Sequence, residues 1–409
     1  MHWTPACGIL TTMGETSHTG LHPNIRRIYA IQMCTGAIIA IPTITLFFME
    51  NGLSMQQIFL LQGVFSLSQA FFELPTGHLA DQWGRRQTVI LGCAFAFLAF
   101  VFYALSGGFW GILLAELLLG FGASCLSGTL EALTYDTLLT TEQTGLYRRI
   151  VGHQFFLHFS SEAACSVLGG FLALISLRAP LWATVVPFGI AVLIGLTLEE
   201  PERHKEQETE HLKSLMRRSA QMLKKPTIRG IVLVQAVIST MTLMLFWFTQ
   251  PYQSLIALPL EFFGIVHAIM VIMGAIASKL THRVEKLMDD RLFLIGIASV
   301  VTVCYVSLGF IVHPAGLLLF LVARVSWGFL TPLTSDIVNR LAPSEMRATA
   351  LSLRAFTGRL LFVAASPVFG AIADTVSIST ALLSAGVAGG CALILLFLMM
   401  RPVWSRIPA

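Results

Sequence analysis

The chain has 409 residues, 55% of them hydrophobic and only 12% charged, with a mean hydropathy of +0.76. Soluble domains carry about twice that charge, so a soluble globular protein is excluded, and a net charge of +4 gives no reason to expect a nucleic-acid partner. Apolar runs of about 20 residues, enough for a helix to cross about 30 Å of hydrocarbon, recur along the chain. The alternation of a membrane β-barrel is missing. These features imply a polytopic helical membrane protein lying in a lipid bilayer.

Residues 1–25 hold no lysine, arginine or long apolar run and are read as a cytoplasmic tail, not a secretory signal. Twelve spans follow, at roughly 26–49, 55–80, 87–106, 109–138, 149–176, 180–198, 228–250, 259–281, 291–312, 315–341, 345–373 and 377–400. Lysine and arginine set their orientation. Basic residues fall in alternate connections, among them Arg26/Arg27, Arg85/Arg86, Arg148/Arg149, the 203–229 segment, Lys279 to Arg291, Arg340/Arg347 and Arg401/Arg406, while the intervening ones hold only Arg178. Both termini are therefore expected on the cytoplasmic side. The only long hydrophilic connection, 199–227, divides a first bundle (26–198) from a second (228–400), and residues 401–409 form a second tail. Leu212, Leu215, Met216 and Leu223 predict an amphipathic helix in that connection, either resting on the inner leaflet or serving as a solvated tether. The seven cysteines form no Cys-x-x-Cys pair, so neither a disulfide framework nor a metal site is expected.

Between the second and third spans lies Glu73-Leu74-Pro75-Thr76-Gly77-His78-Leu79-Ala80-Asp81-Gln82-Trp83-Gly84-Arg85-Arg86. Gly77, Leu79, Ala80, Asp81, Gly84, Arg85 and Arg86 resemble the pattern Gly-x-Leu-Ala-Asp-(basic)-x-Gly-Arg-(basic) in the corresponding loop of the major facilitator superfamily. Gln82 departs from it, standing where a basic residue is usual. The resemblance implies an all-α membrane protein with twelve transmembrane helices in two pseudo-symmetric six-helix bundles, transporting a solute by alternating access. It also implies a cytoplasmic gate in which Arg85 pairs with an acid of the fourth span, Asp136 in preference to Glu131. Asp81 would then meet the N-terminus of the eleventh helix, beginning near Ser344, where the helix dipole favours an anion.

An internal echo agrees with this. Ala115-Glu116-Leu117-Leu118-Leu119-Gly120-Phe121 matches Ala323-Arg324-Val325-Ser326-Trp327-Gly328-Phe329 at an offset of 208, as parallel transporter repeats do. Glu116, Gly120, Ser124, Ser127 and Glu131 share one helix face, and Arg324, Gly328, Pro332, Ser335 and Asn339 repeat the stripe. The resemblance places the first, fourth, seventh and tenth helices around a central cavity, making Glu116, Ser124, Arg324 and Ser335 candidate substrate contacts. The alternative is that the small residues only allow close packing. Related drug exporters often carry an arginine at the Glu116 position, so their arginine-based proton transfer does not carry over.

An ionised side chain at mid-membrane is costly and marks a protein interior or cavity. In the fifth span, His158 and Glu162 lie one turn apart, about 13–20 Å from Arg149, a candidate proton-coupling pair or a self-neutralising one. Arg359 lies about 18 Å in from Arg347 and joins Arg324 as a candidate contact for an anionic group, unless internal acids neutralise both. Glu73 is a further gate candidate, and His267 reads as a helix–helix contact. Pro42, Pro187 and Pro367 predict local helix breaks.

The proline-containing motif of proton antiporters is reduced to Ser166-Val167-Leu168-Gly169-Gly170, and no phosphate-binding Gly-x-x-x-x-Gly-Lys-(Ser/Thr) sequence occurs. An enzyme is not expected, nor any cofactor. The sequence predicts a monomeric, proton-coupled secondary transporter of a small organic solute in the inner membrane, favouring a polar or anionic metabolite. Export of amphiphilic drugs is the alternative, and a non-transporting receptor with the same fold a third.

Overall fold

A computed structural model describes residues 22–201, 222, 224–343 and 346–402. The 210–225 amphipathic helix falls largely outside these residues, as does Ser344. The described residues form helices without strands: α1 (Pro23–Gly36), α2 (Ile44–Glu50), α3 (Met55–Gln82), α4 (Arg85–Leu105), α5 (Gly108–Leu126), α6 (Thr129–Thr140), α7 (Tyr147–Leu172) and α8 (Ala179–Thr197) come first. The second half holds α9 (Pro226–Leu255), α10 (Leu260–Glu285), α11 (Asp290–Phe310), α12 (Leu317–Leu341), α13 (Arg347–Thr375) and α14 (Ile378–Met400).

Eleven segments among the described residues are long and apolar enough to cross a membrane, with α5 and α6 together making one. The two halves repeat one packing scheme. In the first, α1 packs on α7, α3 on α5 and α4 on α8; in the second, α9 packs on α13, α10 on α12 and α11 on α14. The halves meet through α3 against α13 and α7 against α10, two contacts that exchange under the same pseudo-two-fold relation. The result is an all-α protein of two pseudo-symmetric bundles.

Two expected spans are interrupted. The 26–49 span is α1 and α2 joined through non-helical residues 37–43. Pro42 has no backbone N–H to continue the ladder. Close approach to α7 shapes the same region: a Cβ on Gly36 would collide with the backbone of His158, and one on Gly169 would stand 3.1 Å from the Ile39 carbonyl carbon. The 109–138 span breaks at Gly128, whose φ of +72° is open to glycine at little cost. Glu131 therefore lies on α6, exposed, and the stripe from Glu116 stops short of it. Pro187 and Pro367, by contrast, lie inside continuous helices.

Within each bundle, small residues set the helix spacing. A Cβ on Gly122 of α5 would come within 2.9 Å of both the Gly92 oxygen and the Ala96 nitrogen of α4, so these backbones are in near contact, as membrane helices require where no hydrophobic drive separates protein from lipid. Helix ends are tied by polar groups. On the face bearing most basic residues, Asn24 donates to Thr137 Oγ1 (3.1 Å) and the Glu199 carbonyl (2.9 Å). The Glu200 carboxylate accepts from the backbone N–H groups of Arg85 (3.0 Å) and Arg86 (2.7 Å), an anion at the start of α4. Arg27 beside Glu199 (2.6 Å) holds that carboxyl below the usual carboxylate range. On the opposite face, Arg178 donates to the Ala104 carbonyl (2.8 Å) and Asn51 Oδ1 (3.0 Å).

Candidate transport pathway

A cavity of about 340 Å³ opens inside the second half, between α9, α10, α12 and α13. One face of α9 supplies Gln235, Ser239, Thr242, Phe246 and Thr249, a repeat of four, three, four and three residues that keeps them in one stripe. Facing this stripe are Arg324 and Trp327 from α12 and Arg354 and Arg359 from α13. The Arg324 guanidinium stacks over the Trp327 ring at 4.6 Å and, among the described residues, makes no hydrogen bond or close ion pair. Arg354 donates to the Thr331 carbonyl (3.1 Å) and Thr334 Oγ1 (2.6 Å), while its Nε is buried without a partner.

Helical rise relates these depths. Arg354 is level with Thr331–Thr334, and Arg359 lies five residues further along α13, about 7.5 Å towards the level of Trp327. Arg324 and Arg359 thus start from backbone positions about one helical turn apart in depth, and both line the cavity. Arg359 reaches Glu73 of α3 at 3.5 Å, a contact between the halves. The acids Glu116, Glu162 and Asp336 are engaged elsewhere, Asp336 by Arg340 at 3.1 Å.

Glu116, expected opposite Arg324, is only 2% exposed and does not line the cavity. It accepts from Gln62 of α3 at 2.5 Å and bonds Tyr103 of α4. The physical reason is rotation of α5: its small-residue face packs against α3 and α4, so the carboxylate enters the bundle interior and finds donors there. Ser124 is similarly placed, its carbonyl accepting from Thr76 Oγ1 at 3.2 Å. Ser335 donates to the Thr331 carbonyl of its own helix (2.7 Å) and also lies outside the cavity lining.

The candidate coupling residues differ in their contacts. Glu162 Oε1 is 3.1 Å from His267 Nε2 of α10, across the halves, with Arg324 within electrostatic range. The His158 ring has a buried Nδ1 without a partner and lies beside Phe159. His158 remains within electrostatic range of Glu162, and the hydrogen bond to Glu162 comes from His267 of the other half. One turn of spacing brings His158 and Glu162 to the same face, but the packing of α7 on α10 offers Glu162 the nearer imidazole. His267 carried no sequence signal beyond being a histidine inside a span.

Of the gate candidates, Arg85 pairs with Asp136 and donates to the Ala132 carbonyl at 2.5 Å. Glu131 takes no part in that pair. Gly84 begins α4 with φ 129°, a conformation costly for any other residue. Arg86 donates to the Leu196 carbonyl at 2.9 Å. Gly77 and Asp81 lie exposed near the end of α3.

The described residues form a helical membrane protein of two bundles, joined by Glu162–His267 and Glu73–Arg359, with a cavity inside the second bundle. The model of the Major Facilitator Superfamily matches residues 28–366, and the chain belongs to that family, whose members bind small-molecule substrates within the membrane. The inner membrane transport protein YajR of Escherichia coli is 32% identical over 172 residues, covering 41% of this chain but only 36% of that protein. The class G tetracycline resistance protein of Vibrio anguillarum is 25% identical over 311 residues, 72% of this chain and 75% of that one. Among solved structures, the nucleoside transporter NupG (D323A mutant) superposes with a TM-score of 0.78 at 14% identity, covering 92% of this chain and 98% of that one. A bacterial homologue of the human lysosomal transporter Spinster, inward-facing and unoccupied, gives 0.72 at 16% identity, covering 94% and 97%. These likenesses establish the fold and a multi-pass integral membrane protein.

Proposed function

We propose that this protein is a proton-coupled secondary transporter of a small organic anion, with its basic face cytoplasmic. The observation that carries the reading is Arg324, a cation in a membrane cavity with no direct acidic partner among the described residues and its flat face held by Trp327. Glu162 lies within electrostatic range of this guanidinium without contacting it, and because a cation removed from water needs direct acceptors, a ligand carboxylate or phosphate would supply them. A guanidinium fixed by stacking offers paired N–H groups to such a ligand. Arg359, also lining the cavity and only loosely held by Glu73, is a second donor. The hydroxyl and amide stripe of α9 would receive the polar body of the solute. The Glu162–His267 pair, which joins the halves at 3.1 Å beside Arg324, is the proposed coupling element.

Export of an amphiphile is the second reading. It is favoured by the tetracycline resistance relative and by Phe246, Phe320, Phe362 and Trp327 in the cavity wall. The two readings separate on purified protein in proteoliposomes screened with organic anions and with neutral or cationic amphiphiles. Removing a charge-assisted contact worth about 1.5–3 kcal/mol should weaken anion binding about 10- to 100-fold in Arg324→Ala, with less loss in Arg324→Lys. Binding of amphiphiles that is indifferent to Arg324→Ala, with no anion bound, would replace the first reading by the second.

A further inference from the structure

The end of α13 repeats the motif at the end of α3. Gly77-His78-Leu79-Ala80-Asp81 has a counterpart in Gly370-Ala371-Ile372-Ala373-Asp374, each a Gly-x-(aliphatic)-Ala-Asp sequence in the last turns of its helix. The two helices run antiparallel across the interface between the halves, so the two copies lie on opposite faces of the membrane. The second copy is engaged in this conformation. Both oxygens of Asp374 accept from the first turn of α3, Oδ1 from the Met55 N–H (2.8 Å) and Oδ2 from the Gln56 N–H (2.9 Å). A carboxylate there satisfies two donors that a helix start leaves unpaired and meets the positive end of its dipole. Gly370 makes the approach possible, because a Cβ at that position would stand 2.7 Å from the Gln56 Cα.

The corresponding glycine of the first copy is not packed: nothing lies within 4 Å of a Cβ built on Gly77. Further bonds between the halves lie on the side of the second copy. Gln250 of α9 accepts from the Thr45 N–H (2.7 Å) and donates to the Ile41 carbonyl (2.8 Å), clasping the break between α1 and α2. Together with the Asp374 contacts and Glu162–His267, these bonds lie in the half of the membrane away from the basic face. Nearer the basic face, Arg359 reaches Glu73 at 3.5 Å across the halves.

We propose that Gly370 and Asp374 form a latch that closes the face opposite the basic one, and that they alternate with the Gly77–Asp81 copy as the transporter switches. Each copy is a helix end that caps, or releases, the start of the helix it runs against. Tight packing at its glycine marks which face is shut. Asp374 is a positioning residue for transport: it touches no cavity-lining group and acts by holding α3 against α13. This inference rests on the contacts between the halves and is independent of the chemistry of the solute.

The test uses the full-length chain in oriented membrane vesicles, with impermeant maleimides added from either side and the unmodified chain as background. Gln253, 1% exposed between the halves near the opposite face, is replaced by cysteine as one reporter. Thr331, on the cavity wall, is replaced as the other. In Asp374→Asn, labelling of the 253 reporter should rise at least three-fold, while labelling of the 331 reporter falls. Gly370→Ala, which opens the same contact without touching a charge, should move both rates in the same directions. Unchanged rates in both variants would overturn the proposal, as would a parallel rise at both reporters, which denotes general loosening. A parent-like thermal unfolding midpoint confirms that each variant folds.

Discussion

At Glu116 a single side chain separates the reading of a pattern from the reading of a structure. Its matched spacing with Arg324 is real, yet the carboxylate faces Gln62 and Tyr103 inside the first bundle. Glu116→Gln retains a group that can bond both neighbours. Its Michaelis constant for the transported solute should stay within about two-fold of the parent, whereas Glu116→Ala leaves buried donors unpaired and should lower stability by about 1–3 kcal/mol. Transport kinetics beside thermal unfolding of the two variants check this. The gate residues were more legible. The pairing of Arg85 with an acid at the end of the fourth span is implied by the resemblance of the 73–86 stretch to the family motif, and Asp136 is the acid it meets. Glu200, which caps α4, gave no such signal, since a carboxylate after the last span of a bundle looks like any solvated linker charge.

Helix existence follows from hydropathy, but helix interruption depends on neighbours. Pro42 advertised a break in the first span; the length of that break reflects the closeness of α1 to α7 and the clasp from Gln250. Gly128 ends α5 without any proline. Among the packed elements, the α4–α5 contact is set by Gly122 and Gly92, and it offers a direct measurement. Gly122→Leu forces these backbones apart in a region with no void to receive the side chain, and should destabilise the protein by about 1–3 kcal/mol. Replacement of Gly145, beside which nothing lies within 4 Å of a built Cβ, should leave the midpoint within experimental error. Thermal unfolding in detergent distinguishes the two.

For the whole molecule, the informative contacts are those between the halves, because transport requires them to break and re-form. Glu162 and His267 belong to different bundles and share one hydrogen bond, so a proton added to or removed from the pair changes the energy of closing that face. Solute flux in proteoliposomes should therefore depend on an imposed pH gradient in the parent chain. In Glu162→Gln the gradient dependence should disappear while solute exchange without a gradient persists. A mutant that remains gradient-driven would remove Glu162 from the coupling. The same reasoning explains why His267 was read only as a helix–helix contact: its meaning lies in a residue 105 positions away.

The amino-acid sequence by itself determined a helical membrane protein in two repeated halves, the alternation of basic connections and the motif that identifies the family. It could do so because these properties are local: hydrocarbon thickness dictates the length of each span, and the motif lies within a single connection. Which polar residues face a cavity, which acids meet which bases and which face is shut were decided only by tertiary structure. A helix displays every side chain to some neighbour, and only the rotation and packing of the helices selects whether that neighbour is lipid, a donor in the same bundle or the other half of the transporter.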